Sequence, residues 1–199
     1  MPNPAGDLDN TAALAGPPWS QPRTVYFYGG WLSNFAPTPG LALPYGYCGH
    51  HEPGLVDVRS VEHWFQACKA TSRREFEEIL ASPTAAGAKR AGRSVSLRAD
   101  WEEVKYEVML RALAGKFAAE PYRSGLLLTS GRPLAEDSPT DFVWGARDPQ
   151  GGYRGQNLLG QALMAVRAAL IADTMRDLGE LASVRRRAPA AAAVVAVAR

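Results

Sequence analysis

Residues 60–70, SVEHWFQACKA, combine an apolar helical face with several polar side chains. From Val61 to Cys68 the apolar residues recur at i, i+3, i+4 and i+7, which is the spacing of one face of an α-helix. Ser60 stands directly before them and is a favourable N-cap residue. The stretch therefore predicts a short helix with one buried face, and it leaves open what the polar side chains do.

Helix signals dominate the rest of the chain. A Ser-x-x-Glu capping box predicts a helix start at Ser72, and a serine followed by proline predicts another at Ser82. Asp100 is predicted to cap a longer helix. Two more helices are predicted over 121–129 and from Asn157 onward.

Strand signals are confined to the N-terminal third. TVYFY (24–28) is β-branched and aromatic and ends at two glycines, and LVDVR (55–59) alternates apolar and polar residues. The Pro- and Gly-rich segment 37–53 predicts a loop, with a short hairpin around 41–47. Together these patterns predict an α+β fold in one compact domain, predominantly helical with a small β-sheet.

The composition fits one globular domain with loose ends. Among 199 residues, 46% are hydrophobic and 21% charged, which excludes a disordered chain. Lys and Arg number 22 against 20 Asp and Glu, a formal charge of +2. This balance gives no argument for nucleic-acid binding from charge alone, and leaves only a local basic patch open.

The domain is predicted to span residues 23–178. Residues 1–22 and 179–199 are predicted to be disordered tails, and the apolar run in the second is shorter than the about 20 residues that a membrane span needs. The sequence also lacks a secretory signal pattern and a cysteine framework. We therefore expect a cytoplasmic protein with no membrane partner.

The polar side chains of residues 60–70 form a stripe beside the apolar face. Glu62, Gln66 and Lys69 are spaced i, i+4 and i+7, so they project from one side of the helix. An ionised carboxylate in the first turn can act as a base, a nucleophile or a stabiliser of positive charge. Spacing alone nevertheless favours a simpler interpretation, in which Glu62 interacts with the helix dipole and Lys69 is solvated. His63 is predicted to pack.

Two further stretches combine aromatic and charged residues. EDSPTDFVWG (136–145) places three acids and Trp144 in a turn-rich loop, which is either a solvated turn or a binding loop. RADWEEVK (98–105) places Trp101 and Lys105 one turn apart on a predicted helix. Trp101 there either covers the core or lines a binding site.

The segment GGYRGQN (151–157) precedes the last predicted helix. Its glycines allow close backbone approach, and the helix start and Arg154 can bind an anion such as phosphate, although a flexible connector fits the pattern as well. CGHH (48–51) has no partner residues at metal-ligand spacing, so no metal site is predicted.

Five motifs occur in a fixed order between residues 25 and 170: YFYGGWLSNF, SVEHWFQACKA, ADWEEVKYEVMLRALAGKF, LAEDSPTDFVWG and GQNLLGQALMAVR. As a set they closely resemble the NADAR family, also called YbiA-like, of bacterial and plant N-glycosidase domains. The resemblance implies a compact, helix-rich YbiA-like fold. It also implies hydrolysis of an N-glycosidic bond between a ribose carbon and a nitrogen.

The resemblance implies two kinds of substrate. One is a ribosylamino-pyrimidine phosphate of riboflavin synthesis, and the other is ADP-ribose attached to guanine in DNA or RNA, which such an enzyme removes in an antitoxin-like role. Neither reaction requires a cofactor or a metal. A different class remains open from the residues alone, namely a non-catalytic module that binds ADP-ribose or another nucleotide.

Site residues follow from the motifs that match the family. The catalytic carboxylates implied are Glu62 and Asp141, with their individual roles open. The substrate-binding residues implied or predicted are Trp101, Trp144, Asn34, Lys69, Lys105, Arg154 and Asn157. Two departures from the family pattern, a long loop over 44–57 and the cation Arg147 after the Trp-Gly pair, bear on substrate choice.

Overall fold

The structure is a computed structural model that describes residues 24–47, 50–147 and 155–187. In these ranges the chain forms β1 (Val25–Phe27), β2 (Ala42–Tyr47), β3 (His50–Asp57), α1 (Val61–Ala67), α2 (Arg73–Leu80), α3 (Ala85–Gly92), α4 (Trp101–Ala118), α5 (Tyr122–Leu127), β4 (Leu134–Glu136) and α6 (Leu158–Arg187). The predicted α+β, predominantly helical fold is thus confirmed. The predicted N-terminal tail and residues 188–199 lie outside the described residues.

Two small sheets replace the single sheet expected from the N-terminal third. Strand β1 pairs in parallel with β4, so that Phe27 lies opposite Glu136. Strands β2 and β3 form an antiparallel hairpin in which Ala42 lies opposite Asp57. Strand β2 falls on the segment 41–47 where a short hairpin was predicted, but its partner β3 begins at His50, so the hairpin is longer than predicted and takes up much of the loop predicted over 37–53. The prolines and glycines of this segment hide the two-residue alternation that is typical of strands.

Helix α1 lies at the centre of the molecule. All seven of its residues are buried, and it packs against α2, α3 and α4. Its start is as predicted, since the Ser60 hydroxyl accepts a hydrogen bond from the His63 backbone N–H at 3.4 Å. The polar stripe is therefore not a solvated side.

Helix α2 begins as the sequence predicts, and α3 begins later. The Ser72 hydroxyl accepts from the Glu75 N–H at 3.3 Å and donates to the Glu75 carboxylate at 2.8 Å. Helix α3 starts after Thr84, whose hydroxyl caps the Gly87 N–H at 3.0 Å. The start predicted at Ser82 is thus wrong by two residues, because the threonine supplies the cap.

Helix α4 begins after Asp100 without a side-chain cap. The Asp100 carboxylate instead accepts two hydrogen bonds from the Arg98 guanidinium, at 2.6 and 2.8 Å. A bidentate, charge-assisted pair is stronger than a bond to one backbone N–H, which explains the missing cap.

Helix α6 continues past residue 178, the predicted end of the domain, to Arg187. The stretch Leu158–Leu178 is long and apolar enough to cross a membrane by length and composition. Its buried residues recur at helical spacing and pack onto α4, α5 and β4: Leu159, Ala162, Leu163, Val166 and Leu170. This packing accounts for the apolar character of the stretch.

Helices α1 and α3 are in close contact at Gly92. A Cβ atom at this position would lie 2.8 Å from the Cβ of Gln66, which is closer than side chains tolerate. Glycine is therefore required here for the close approach of the two helices.

Candidate functional site

A cavity of about 510 Å³ lies between the helical layer of α1, α3 and α4 and the loops that follow β1 and β4. Seven of the predicted site residues contribute to its wall: Asn34, Glu62, Lys69, Trp101, Lys105, Asp141 and Trp144. The fold thus brings together residues from distant parts of the chain, as the prediction of one site requires. Their roles in binding and catalysis stay predictions.

Glu62 is the most constrained charged group of the cavity. Its side chain is 2% exposed, and each carboxylate oxygen accepts a hydrogen bond from a side-chain amide. Asn34 Nδ2 donates to Oε2 at 2.5 Å, and Gln66 Nε2 donates to Oε1 at 2.8 Å. Burial raises the pKa of Glu62, while the Gln66 hydrogen bond and the cations of Lys89 and Lys69 act in the opposite direction.

Local structure places both amides. Gln66 is one helical turn after Glu62, so the two side chains meet on the same face of α1. Asn34 lies in the turn after β1, and its backbone carbonyl accepts from the Glu62 N–H at 2.9 Å. The buried Lys116 fixes this turn, because its Nζ donates to the Ser33 carbonyl at 2.8 Å. Burial lowers the pKa of Lys116 to about 7.

His63 holds α1 to the rest of the core, as predicted. One ring nitrogen, Nδ1, is 2.7 Å from the Ser60 hydroxyl, and Nε2 is 3.1 Å from the Ser82 carbonyl. Burial lowers the pKa of His63, which favours the neutral ring.

Asp141 is half-buried on the opposite wall and organises its own loop. Its Oδ1 accepts from the backbone N–H groups of Val143 at 3.2 Å and Trp144 at 2.9 Å. Its own N–H donates to the Ser138 hydroxyl at 3.1 Å. Within the described residues Oδ2 accepts no hydrogen bond, so this oxygen is available to a bound molecule.

Three aromatic rings form one side of the cavity. Phe65 is contacted edge-on by Trp101 and by Trp144, with ring centroids 4.9 and 5.1 Å apart. Trp101 is buried and Trp144 half-buried. The rings pack against each other while lining the cavity, which gives a rigid apolar wall against which a base can stack.

Basic side chains line the same cavity. Lys69 Nζ is 5.4 Å from the Phe65 ring centroid and 5.5 Å from that of Trp101. Burial lowers the pKa of Lys69, and the nearby Glu62 opposes this shift. Lys105 forms an ion pair with Glu102.

Two predicted binding residues are not part of the described cavity wall. Asn157 is buried, has a φ of 53°, and uses its side chain on the backbone of β4. Its Oδ1 accepts from the Glu136 N–H at 3.0 Å, and its Nδ2 donates to the Leu134 carbonyl at 2.9 Å. The structure thus gives Asn157 a structural role in holding β4, and the binding role predicted for it stays a prediction. Arg154 lies outside the described residues.

Sequence reasoning missed several residues of the cavity wall. Lys89 and Arg93 come from the end of α3, and Glu136 comes from β4. The two α3 cations are four residues apart, a spacing that could have indicated a shared face. Glu136 stands in a motif already noted for its acids, yet nothing in the local sequence distinguishes it from the neighbouring Asp137.

One cation noted in the sequence is held by an ion pair. Arg147, the cation after the Trp-Gly pair, is bound by Asp137 through a two-pronged ion pair, with one contact at 2.8 Å. Within the described residues no group of three or more His, Cys, Asp or Glu side chains is arranged to hold a metal ion.

The family model described as the NADAR domain matches residues 27–171, which include every motif that builds the cavity. This chain belongs to the NADAR domain family. The resemblance noted in the sequence is thereby confirmed.

NADAR relatives among characterised proteins carry two kinds of name. N-glycosidase Npun_R5314 of Nostoc punctiforme is 32% identical over 155 residues, covering 72% of this chain and 90% of the relative. N-glycosidase YbiA of Escherichia coli is 40% identical over 113 residues, covering 55% of this chain and 68% of the relative. Riboflavin biosynthesis protein PYRR of Zea mays is 35% identical over 127 residues, which are 56% of this chain but only 20% of that longer protein.

A solved NADAR structure shows the same fold. The NMR structure of the Escherichia coli protein YbiA superimposes with a TM-score of 0.61 at 30% sequence identity. The match covers 78% of this chain and 89% of that chain. The predicted YbiA-like architecture is confirmed by this likeness.

Proposed function

We propose that this protein is an N-glycosidase that hydrolyses the bond between a ribose C1′ and a nitrogen atom of a phosphorylated substrate. The observation that carries the proposal is the Glu62 carboxylate, which is 2% exposed, lines the cavity and is held by an amide on each oxygen. The names of the Nostoc and Escherichia relatives support the reaction class.

The chemistry of the bond explains why such a carboxylate is needed. Breaking C1′–N develops positive charge on the ribose ring, as in other glycoside hydrolyses. A fixed carboxylate next to C1′ stabilises that charge and accepts a proton from the attacking water. The Asn34 and Gln66 amides hold Glu62 in place, so little reorganisation is needed as the charge develops.

The other walls of the cavity suit the remaining parts of the substrate. A volume of about 510 Å³ matches the range of sites for small organic ligands. The aromatic wall of Phe65, Trp101 and Trp144 offers a stacking surface for a base. The cations Lys69, Lys89 and Arg93 can bind phosphate oxygens with charge-assisted hydrogen bonds.

Two substrate classes share this chemistry. A ribosylamino-pyrimidine phosphate is supported by the name of the maize relative. ADP-ribose linked to guanine in DNA or RNA is supported by the family resemblance alone. Both contain a ribose–nitrogen bond, a nitrogen-containing aromatic ring system and at least one phosphate. These shared features are what the cavity is proposed to recognise.

One assay tests the proposal. The protein is incubated separately with ADP-ribosylated guanine in DNA and with a ribosylamino-pyrimidine phosphate, and the released base is measured by mass spectrometry. We expect wild type to release the base from one of them and Glu62→Gln to lose this activity, with Glu78→Gln, an exposed surface change, as the matched control.

Two results would count against the proposed N-glycosidase function. Full activity of Glu62→Gln on the active substrate would refute the role of this carboxylate. Calorimetric binding of ADP-ribose without any released base would favour the non-catalytic module instead.

A further inference from the structure

We infer that Glu136 is a further catalytic residue of this cavity, the acid that delivers a proton to the leaving nitrogen of the N-glycosidic bond. The inference rests on the proposed function and deepens it. It assigns the second half of the reaction, in which the base departs, to a residue that the sequence motifs do not single out.

The backbone of Glu136 is held from three directions. In the parallel sheet it lies opposite Phe27 of β1. Its N–H donates to Asn157 Oδ1 at 3.0 Å, and its carbonyl accepts from the Ala146 N–H at 2.7 Å. A residue fixed in this way presents its side chain to the cavity without any loop movement, as a catalytic group requires.

The side chain of Glu136 is half-buried, lines the cavity and differs from the other two carboxylates in its bonding. Among the described residues no group donates a hydrogen bond to its carboxyl oxygens. Glu62 accepts on both oxygens and Asp141 on one. A carboxyl group with no hydrogen-bond donor in the described part of the chain can hold a proton and give it to a substrate.

Burial and two neighbouring carboxylates favour the protonated form of Glu136. Burial raises the pKa of Glu136 to about 7, and the carboxylates of Asp141 and Glu62 add to the shift while Lys89 opposes it. The cavity wall also contains four further charged residues: Lys69, Arg93, Glu102 and Lys105. An acid with a pKa near the working pH transfers protons efficiently, whereas an ordinary glutamate would be ionised.

The proposed step balances. The C1′–N bond breaks, its electron pair goes to the nitrogen, and that nitrogen takes the proton of the Glu136 carboxyl group. A water oxygen forms the new bond to C1′ and passes its proton to the Glu62 carboxylate. Proton exchange with solvent after product release restores Glu136 to its acid form and Glu62 to its carboxylate.

The test is the pH dependence of kcat on the substrate that wild type hydrolyses. We expect wild-type kcat to fall about tenfold per pH unit above the pKa of the acid. Glu136→Gln should lower kcat about 10²- to 10⁴-fold and abolish this alkaline limb. Glu136→Asp keeps a carboxyl group of intrinsically lower pKa, so it should retain a limb that is moved to lower pH.

The Asp141→Asn variant distinguishes whether Glu136 or Asp141 supplies the proton. Its amide oxygen can still accept from the loop N–H groups, while the negative charge is gone. If Glu136 is the acid, the limb persists in Asp141→Asn and moves to lower pH, because a carboxylate that raises the Glu136 pKa has been removed. Loss of the limb in this variant would assign the proton to Asp141 instead.

Glu103→Gln, on the exposed face of α4, is the matched control, and melting temperatures show whether each variant is folded. An unchanged kcat and pH profile in folded Glu136→Gln overturns the inference while leaving the proposed N-glycosidase intact. If Glu136→Gln does not fold, an unmoved limb in both Glu136→Asp and Asp141→Asn overturns it. Absence of hydrolysis by wild type on both substrates refutes the proposed function and this inference together.

Discussion

Two glutamates face the same cavity from opposite walls, one on a helix and one on a strand. On α1, Glu62 finds Gln66 one turn away, so the helix itself supplies a hydrogen-bond donor. On β4, the neighbours of Glu136 along the chain point to the other face of the strand, and no donor reaches its carboxyl group within the described residues. The difference teaches that burial raises the pKa of both carboxyl groups, while in the described part of the chain only Glu62 has hydrogen-bond donors that stabilise its ionised form.

The largest expected effect comes from removing the helical carboxylate. Glu62→Gln should lower kcat by about 10³-fold, equivalent to about 4 kcal/mol, because the developing positive charge loses its stabilising partner. The free energy of unfolding should not fall, since within the described residues the Gln66 Oε1 atom is buried without a hydrogen-bond partner and, after rotation of the Gln66 amide, can accept from the new amide. Steady-state kinetics measure the change in kcat, and urea unfolding measures the change in stability. A kcat within threefold of wild type would show that Glu62 does not stabilise the developing charge.

The strand carboxyl should influence stability in a pH-dependent way. Its folded pKa of about 7 exceeds the unfolded value of 4.5, so the folded state binds the additional proton between these values. Wild-type stability contributed by Glu136 is therefore fully present below pH 4.5 and is lost as pH rises through 7. Glu136→Gln lacks this loss, and its unfolding free energy relative to wild type should increase by up to about 3 kcal/mol from pH 4.5 to 8. If urea titrations show that the difference in unfolding free energy between Glu136→Gln and wild type does not change with pH, Glu136 is not the group with the raised pKa.

Removing one of the two donors tests whether the Glu62 carboxylate depends on them. Asn34→Ala deletes the hydrogen bond to Oε2, which is worth about 2 kcal/mol for a charged acceptor. We expect kcat to fall about 30-fold and the acid limb of the pH profile to move to higher pH, because the ionised form of Glu62 is less stabilised. The pH profile decides the outcome, since an unmoved acid limb would mean that Asn34 only packs.

The smallest effect should come from the buried cation behind the Asn34 turn. Lys116 has a folded pKa of about 7 against 10.5 unfolded, so between these values the unfolded state binds more protons and wild-type stability rises with pH. Lys116→Met should remove about 1 kcal/mol of this rise between pH 7 and 8. Paired denaturant titrations at the two pH values measure it, and parallel curves for both proteins would show that Lys116 is not the titrating group.

The helical half of the site was largely predictable from the sequence. Ser60 caps α1, and the i, i+4 spacing joins Glu62 to Gln66, because both features are set within one turn of helix. The ordered motifs added Asn34, Asp141 and the two tryptophans, which come together only in the folded chain. Local rules alone still favoured a Glu62 that only interacts with the helix dipole, whereas its side chain is buried at the cavity and is held by two amides.

The strand half was not predictable from local sequence. Strand β4 has only three residues and exists because it pairs with β1 from the start of the domain, a contact that no short window contains. Glu136 was therefore missed. The structural role of Asn157 was missed for the same reason, since its amide is used to hold β4.

The close packing at Gly92 has a consequence for the cavity as well as for the interface between α1 and α3. Gly92 is not among the residues that line the cavity. Any side chain at this position would nevertheless push on Gln66, the hydrogen-bond partner of Glu62. A substitution at the end of α3 would thus displace the Glu62 carboxylate through Gln66, in addition to disturbing the packing of the two helices. In a survey of random variants, position 92 should group with Glu62 by its effect on turnover, although all of α2 and most of α3 lie between them in the chain.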